Sequence, residues 1–226
     1  PVGPQEGNLA LKQTVYVSGV EVSGQTGPAL AVDGDAETRW SSNKMKRNID
    51  RDAWIVVDLG EDVQSITSIS AEYFNKVWPT DYVIQAAGDD FEPKDYSDTN
   101  IGTDIGDPSA FEEDNAKDAT CWTTLATFTD RTGADHPTDS VESSDFEKVV
   151  PEGVRYIRLY FTEMNSQASG DAIGLEELTV MGTRKAPELG QPDVESVDGL
   201  TATGVVGTEF SALELPERVV AHLADG

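Results

Sequence analysis

The chain is short of several things, and each shortage excludes something. A single cysteine, Cys121, rules out an intramolecular disulfide, so stability has to come from core burial, with or without a metal ion. Lysine and arginine number 16 against 42 aspartates and glutamates, a formal net charge of -26. A surface that negative repels phosphate backbones and anionic lipid, which speaks against nucleic-acid and membrane-surface binding. No apolar run approaches the ~20 residues needed to span a bilayer, so membrane insertion is not expected. Long stretches of 3.6-residue periodicity and internal repeats are absent as well. The two histidines fit no nucleophile motif, and His136, in a polar loop, carries no assignment. The chain opens on Pro1 with no signal peptide, and is expected to be a segment of a longer, multimodular protein.

What is present is a soluble composition, 38% hydrophobic and 26% charged over 226 residues, with alternating β-branched segments. Strands are expected at 14–18, 53–59, 66–74, 81–87, 122–128, 146–150, 154–161 and 173–182, joined by polar, glycine-containing loops. About eight strands with Trp40, Trp54 and Trp122 spread among them predict an all-β, jelly-roll β-sandwich. In 53–59 one face carries Ile55, Val57 and Leu59 and the other Trp54, Val56 and Asp58, the pattern of a central strand. Asp58 then needs a partner, for which Arg39 or a backbone amide is expected.

The densest chemistry lies in Leu30-Ala31-Val32-Asp33-Gly34-Asp35-Ala36-Glu37-Thr38-Arg39-Trp40-Ser41-Ser42. Asp-Gly-Asp signals a tight turn that gathers carboxylate and carbonyl oxygens in a small volume. Such oxygen-only clusters suit a hard cation such as Ca2+; a solvated acidic turn is the plain alternative. Trp40, two residues beyond Thr38, is expected to anchor the loop to the core.

Asn8-Leu9-Ala10, the AVDGDAETRWSS run, Trp54-Ile55-Val56-Val57-Asp58-Leu59-Gly60, Tyr156-Ile157-Arg158-Leu159 and Leu175-Glu176-Glu177-Leu178 follow in a specific order. Together they resemble the discoidin or coagulation-factor 5/8 type C family, in particular its bacterial branch, the family 32 carbohydrate-binding modules (CBM32). The resemblance covers roughly residues 8–183 and implies a galactose-binding-domain-like sandwich. It further implies a structural Ca2+ held by the Leu30 carbonyl, Asp33, Asp35, Thr38, the Glu176 carbonyl and the Glu177 carboxylate. A simple Glu177–Arg39 pair would also explain that glutamate.

In sugar-binding members, loops at one end of the sandwich supply the ligand contacts. Here Asn75-Lys76-Val77-Trp78-Pro79 offers an amide, a cation and an aromatic, with Trp78 as the candidate stacking platform or, alternatively, a strand-capping core residue. Glu21 sits where some relatives bond a sugar hydroxyl. Galactose-binding relatives carry a histidine and an arginine where this chain has Ser41 and Lys76. Lys44, Lys46 and Arg47 cluster against the global charge, as a solvated loop or, with Lys46 and Arg47 at the ligand, as a subsite for a sulfated or uronic sugar.

The organisation expected is a linker at 1–7, the module at 8–183, a linker at 184–199 and a partial bacterial Ig-like repeat or tail at 200–226. About thirty residues are inserted at 88–121, with eleven acidic residues against Lys94 and Lys117, read as a long surface excursion able to become ordered by packing on the body. The resemblance implies a monomeric, non-catalytic module of a secreted or cell-surface bacterial protein. It would target an attached extracellular glycoside hydrolase to terminal galactose-, GalNAc- or GlcNAc-type sugars. Adhesion to a host or matrix protein is the alternative, because the fold serves both. Catalysis is not expected, since nothing sets two carboxylates across a cleft.

Overall fold

The computed structural model describes residues 3–21, 25–45, 51–97, 108–132, 138–165, 171–186, 194–197 and 221–223. The chain divides into two compact units, 1–186 and 187–226. Among the described residues of the first, ten strands run in order: β1 (Gln5–Asn8), β2 (Thr14–Val17), β3 (Trp40–Ser41), β4 (Ala53–Asp58), β5 (Val63–Tyr73), β6 (Pro79–Ala87), β7 (Thr123–Phe128), β8 (Thr138–Glu142), β9 (Tyr156–Met164) and β10 (Gly174–Arg184). Helical structure among the described residues is confined to short 3-10 turns.

Two antiparallel sheets form the sandwich. One has the order β1-β10-β5-β8, with β3 also on β10; the other is β2-β4-β9-β6-β7. The expected all-β sandwich is what the chain builds. Period-two alternation sorts β4 as anticipated: Ile55 and Val57 enter the core between the sheets with Trp40, Tyr73, Leu159 and Phe161, while Trp54 and Val56 face outward. The strand pairs with β2 on one side and β9 on the other, so it is central.

Several expectations need correction. Residues 146–150 form no strand: Phe146 bonds back to Ser143, and Val149 is 90% exposed. The strand lies at Thr138–Glu142, within what reads as a polar loop, because as the outer strand against β5 it buries only Val141. Residues 5–7, expected as linker, pair with the end of β10, Gln5 opposite Arg184. The module therefore ends beyond Thr183, with Arg184 still in β10. Asp58 takes a backbone amide, Gly60 at 2.9 Å, as one partner, but its cation is Arg155, not Arg39; the guanidinium holds both carboxylate oxygens at 2.9 Å.

The 88–121 insert is better anchored than its composition suggests. Its described parts cover the outer face of the β2-β4-β9-β6-β7 sheet. Phe91, Tyr96 and Ala110 are buried there with Trp54, Val83, Trp122, Tyr156 and Tyr160, and Phe111 packs against them. Tyr96 donates its amide to the Val17 carbonyl (3.0 Å), and the Trp54 indole donates to the Ala110 carbonyl (2.9 Å). Beneath the insert lies Arg158, fully buried, bonded to the Gln85 side chain and to the carbonyls of Asn115, Ala116 and Lys117.

In the second unit, Val194–Val197 pairs antiparallel with Ala221–Leu223. The first of these falls inside the stretch read as linker. Apart from Ala221–Leu223, the expected Ig-like segment lies outside the described residues, as do Lys46, Arg47 and His136.

Candidate functional site

Antiparallel pairing brings the end of β5, the starts of β4, β6 and β10, and the end of β9 to one end of the sandwich. The Asp-Gly-Asp turn leads into this end. Gly34 has φ +84°, a conformation that glycine adopts without steric cost. Asp33 Oδ1 accepts from the Asp35 amide (2.9 Å), and Asp35 Oδ1 from the Glu37 amide (3.0 Å). Each aspartate thus shapes the turn through its own backbone.

The Thr38 hydroxyl has one proton to give and three oxygens beside it: Asp33 Oδ2 at 2.8 Å, the Asp35 carbonyl at 2.9 Å and the Leu30 carbonyl at 3.4 Å. Glu177 reaches the same turn from β10, accepting from the Gly34 amide at 3.1 Å. Its second oxygen, Oε1, is buried with no hydrogen-bond partner. Burial pushes the Glu177 carboxyl up to about 7, and the charges of Asp33, Glu72 and Asp35 push the same way against the Gly34 amide.

Leu30, Asp33, Asp35, Thr38 and Glu177 are therefore brought together from two distant segments, an oxygen-only set suited to a hard cation. Glu176 is the extra residue of a β-bulge, since Leu175 faces Tyr73 and Glu177 faces Glu72. Among the described residues no three acidic, imidazole or thiol side chains could hold an ion by themselves. About half of this set is carbonyl and hydroxyl, which such a side-chain cluster leaves out. Arg39 is not the partner of Glu177. Its guanidinium carbon lies 4.1 Å from the Phe74 ring centroid, and its Nε is buried without a partner.

The 74–78 turn is clamped on both sides. Phe74 donates to the Gly174 carbonyl and Gly174 to the Val77 carbonyl, each at 2.9 Å. A Cβ on Gly174 would meet Phe74 Cβ at 2.9 Å, so glycine is required by the close approach. Asn165 completes the clamp: its Oδ1 accepts from the Trp78 amide (3.2 Å), its amide donates to the Trp78 carbonyl (3.1 Å) and its Nδ2 to the Lys76 carbonyl (3.2 Å). No sequence motif marked Asn165.

Trp78 is half-buried and packs on the main core, so part of its ring serves the core-capping role. Its Nε1 and the Asn75 Oδ1 are both buried with no partner, while Lys76 is exposed. Glu21 is half-buried, and its amide donates to the Ser41 carbonyl (3.0 Å). Trp40 is fully buried as expected, its indole donating to the Gly19 carbonyl (3.1 Å). The loop after β3 is tied to the loop before β10 through Ser42 to Ile173 (2.9 Å) and Met45 to Asp171 (2.7 Å).

Residues 14–110 match the family model of the F5/8 type C domain. Among solved structures, the chain is similar to chitosan-binding module 1 of the chitosanase/glucanase from Paenibacillus sp. IK-5. The two are 23% identical, with a TM-score of 0.53 over 78% of this chain and 99% of that one. Module 2 of the same enzyme, solved in complex with chitotriose, is 26% identical, with a TM-score of 0.50 over 76% of this chain and 98% of that one. CBM32-3 from a family 31 glycoside hydrolase of Clostridium perfringens is 15% identical, with a TM-score of 0.50 over 78% and 94%. No curated protein sequence matches the chain. Family match and fold agree: residues 14–110 match the F5/8 type C domain model, and the β-sandwich has the discoidin-like fold seen in CBM32 and chitosan-binding modules.

Proposed function

We propose that this domain is a non-catalytic glycan-binding module whose ligands are amino-sugar chains of the glucosamine or N-acetylglucosamine type. The observation that carries the reading is the clamped 74–78 turn. There the backbone is held by Asn165, and the Trp78 indole N–H and the Asn75 side-chain oxygen are left without protein partners. A sugar supplies both missing groups, since each hydroxyl donates and accepts. Similarity to a chitotriose-bound module supports the amino-sugar class. The charge of -26 supports a cationic glucosamine chain over the sulfated or uronic alternative. Galactose and GalNAc termini rank below it.

The 30–38 turn with Glu177 is proposed to hold Ca2+ as a structural ion stapling the loop to β10, away from ligand chemistry. Attachment to an extracellular glycoside hydrolase is part of the same proposal, with the module raising the enzyme's effective concentration on the glycan.

Calorimetric titration with chitotriose and with galactose tests the reading. Weak binding of chitotriose, reduced at least about tenfold in Asn75→Ala, is expected. A folded protein that binds no glycan, but binds a protein partner even after deglycosylation, overturns it in favour of adhesion.

A further inference from the structure

The structure assigns a second saccharide subsite to the cleft between the insert and the outer face of β9, lined by Arg51, Asp52, Phe111, Lys117, Asp118 and Tyr160. It rests on the glycan-binding reading and extends it from the 74–78 turn to a second place on the same domain.

The cleft is an open one of about 590 Å³, comparable in volume with small-molecule sites. Its lining combines what a pyranose requires. Phe111, partly buried, gives aromatic surface, while Tyr160 forms the floor beneath it. Arg51, stacked 5.9 Å from the Phe111 ring centroid, and Lys117 give donors, while Asp52 and Asp118 give acceptors. The two charges of each sign balance, which favours a hydroxyl-rich ligand over a strongly anionic one. Tyr160 is 3% exposed and its side chain hydrogen-bonds to Asp52, so the floor and one wall are already oriented together.

The wall made by the insert is held unusually firmly. The carbonyls of Asn115, Ala116 and Lys117 are bonded by Arg158 at 2.9, 3.1 and 3.4 Å, and Gln85 Nε2 also donates to the Lys117 carbonyl at 2.8 Å. The Trp54 indole fixes the carbonyl just before Phe111. Burying an arginine whose hydrogen bonds go to an amide and carbonyls is a demanding way to cover a sheet, since apolar packing would cover it as well. It does fix the position of a loop, and a fixed wall lowers the entropic cost of binding.

Position along the strand links the two sites. Tyr160 on β9 precedes Asn165, the clamp of the 74–78 turn just past the strand's end, by five residues, about 16 Å at the rise of a strand. A chain of several sugar units laid along the end of β9 reaches both. The insert is then what makes the module prefer longer chains.

The test titrates the intact chain with chitotriose and chitohexaose, by calorimetry and by amide chemical-shift mapping, in wild type, Phe111→Ala, Lys117→Ala and Asn75→Ala. Lys117→Ala keeps the carbonyl that Arg158 holds, so it reports on the cleft if Phe111→Ala loosens the insert. The hexamer is expected to bind wild type about tenfold or more tighter than the trimer. Both cleft variants should collapse that ratio towards one, leave trimer affinity unchanged and remove the shifts at Tyr160 and Lys117. Equal affinity for both sugars in wild type, or an unchanged ratio in both cleft variants, overturns the subsite and leaves the loop-end reading standing. Shifts confined to the cleft and insensitive to Asn75→Ala uphold the subsite and overturn the loop-end reading. Binding of neither sugar overturns both.

Discussion

The Arg158 guanidinium lies 4.0 Å from the centroid of the Trp122 ring and makes its hydrogen bonds to an amide oxygen and three backbone carbonyls. Burial pulls its pKa down to about 9, so it still carries its charge at neutral pH. Replacing it leaves the Asn115 carbonyl and the Gln85 side-chain oxygen without that donor and takes one of two donors from the Ala116 and Lys117 carbonyls. Arg158→Met should lower stability by about 3 kcal/mol, read as a lower urea midpoint. An unchanged midpoint would show that the insert is held by its aromatic residues alone.

Calcium should raise the thermal midpoint of the domain. At a hundredfold excess over its Kd the ion adds about 2.7 kcal/mol, a shift of roughly 5–10 °C for a domain of this size. Asp33→Ala and Glu177→Gln should each abolish the response to calcium. Absence of any shift in wild type, by differential scanning calorimetry with calcium against EGTA, would refute the ion.

Acid should act through Asp58. Burial alone would raise its carboxyl, but the Arg155 fork and the Gly60 amide outweigh it and hold the pKa below its ordinary 3.8. A depressed carboxyl stabilises the fold above its ordinary pKa, and that contribution disappears as pH falls through the folded value. Asp58→Asn should therefore cost about 2 kcal/mol at pH 7 and show a shallower loss of stability below about pH 4. Urea midpoints measured from pH 7 to pH 2 check both.

Gly182 should tolerate no side chain. A Cβ there would stand 2.1 Å from the Ser65 carbonyl oxygen and 2.8 Å from Leu9 Cδ1. Backbone on one side and core on the other leave nothing free to move. Gly182→Ala should cost about 3 kcal/mol or more, seen as a thermal midpoint lowered by roughly 6–12 °C.

Much of the fold was legible because it depends on local pattern. Alternation in 53–58 marked a strand buried on both faces, and the Asp33-Gly34-Asp35 turn announced its geometry through side chains that bond their own backbone. The oxygen cluster with Glu177 rested on family order, since nothing local joins residues 143 positions apart. Illegible parts depend on what lies opposite in space. Thr138–Glu142 is polar because its sheet position is at the margin, so it reads as loop. Arg155 became the partner of Asp58 through the pairing of β4 with β9. Asn165 is a clamp only because the 74–78 turn folds onto it. Phe91, Tyr96 and Phe111 are too sparse in an acidic stretch to signal a second core, which the outward-facing Trp54 and Trp122 complete.

The pairing of Gln5 with Arg184 has a mechanical consequence. The domain's entry and exit strands lie side by side and antiparallel, so tension applied across them opens β1 from β10 like a zipper. Their hydrogen bonds are then loaded one after another instead of all at once. Tension between the two flanking segments would open the domain at low force from this corner. The β5–β10 ladder beneath, with the 30–38 turn at its far end, stays out of the load path until β1 has come away.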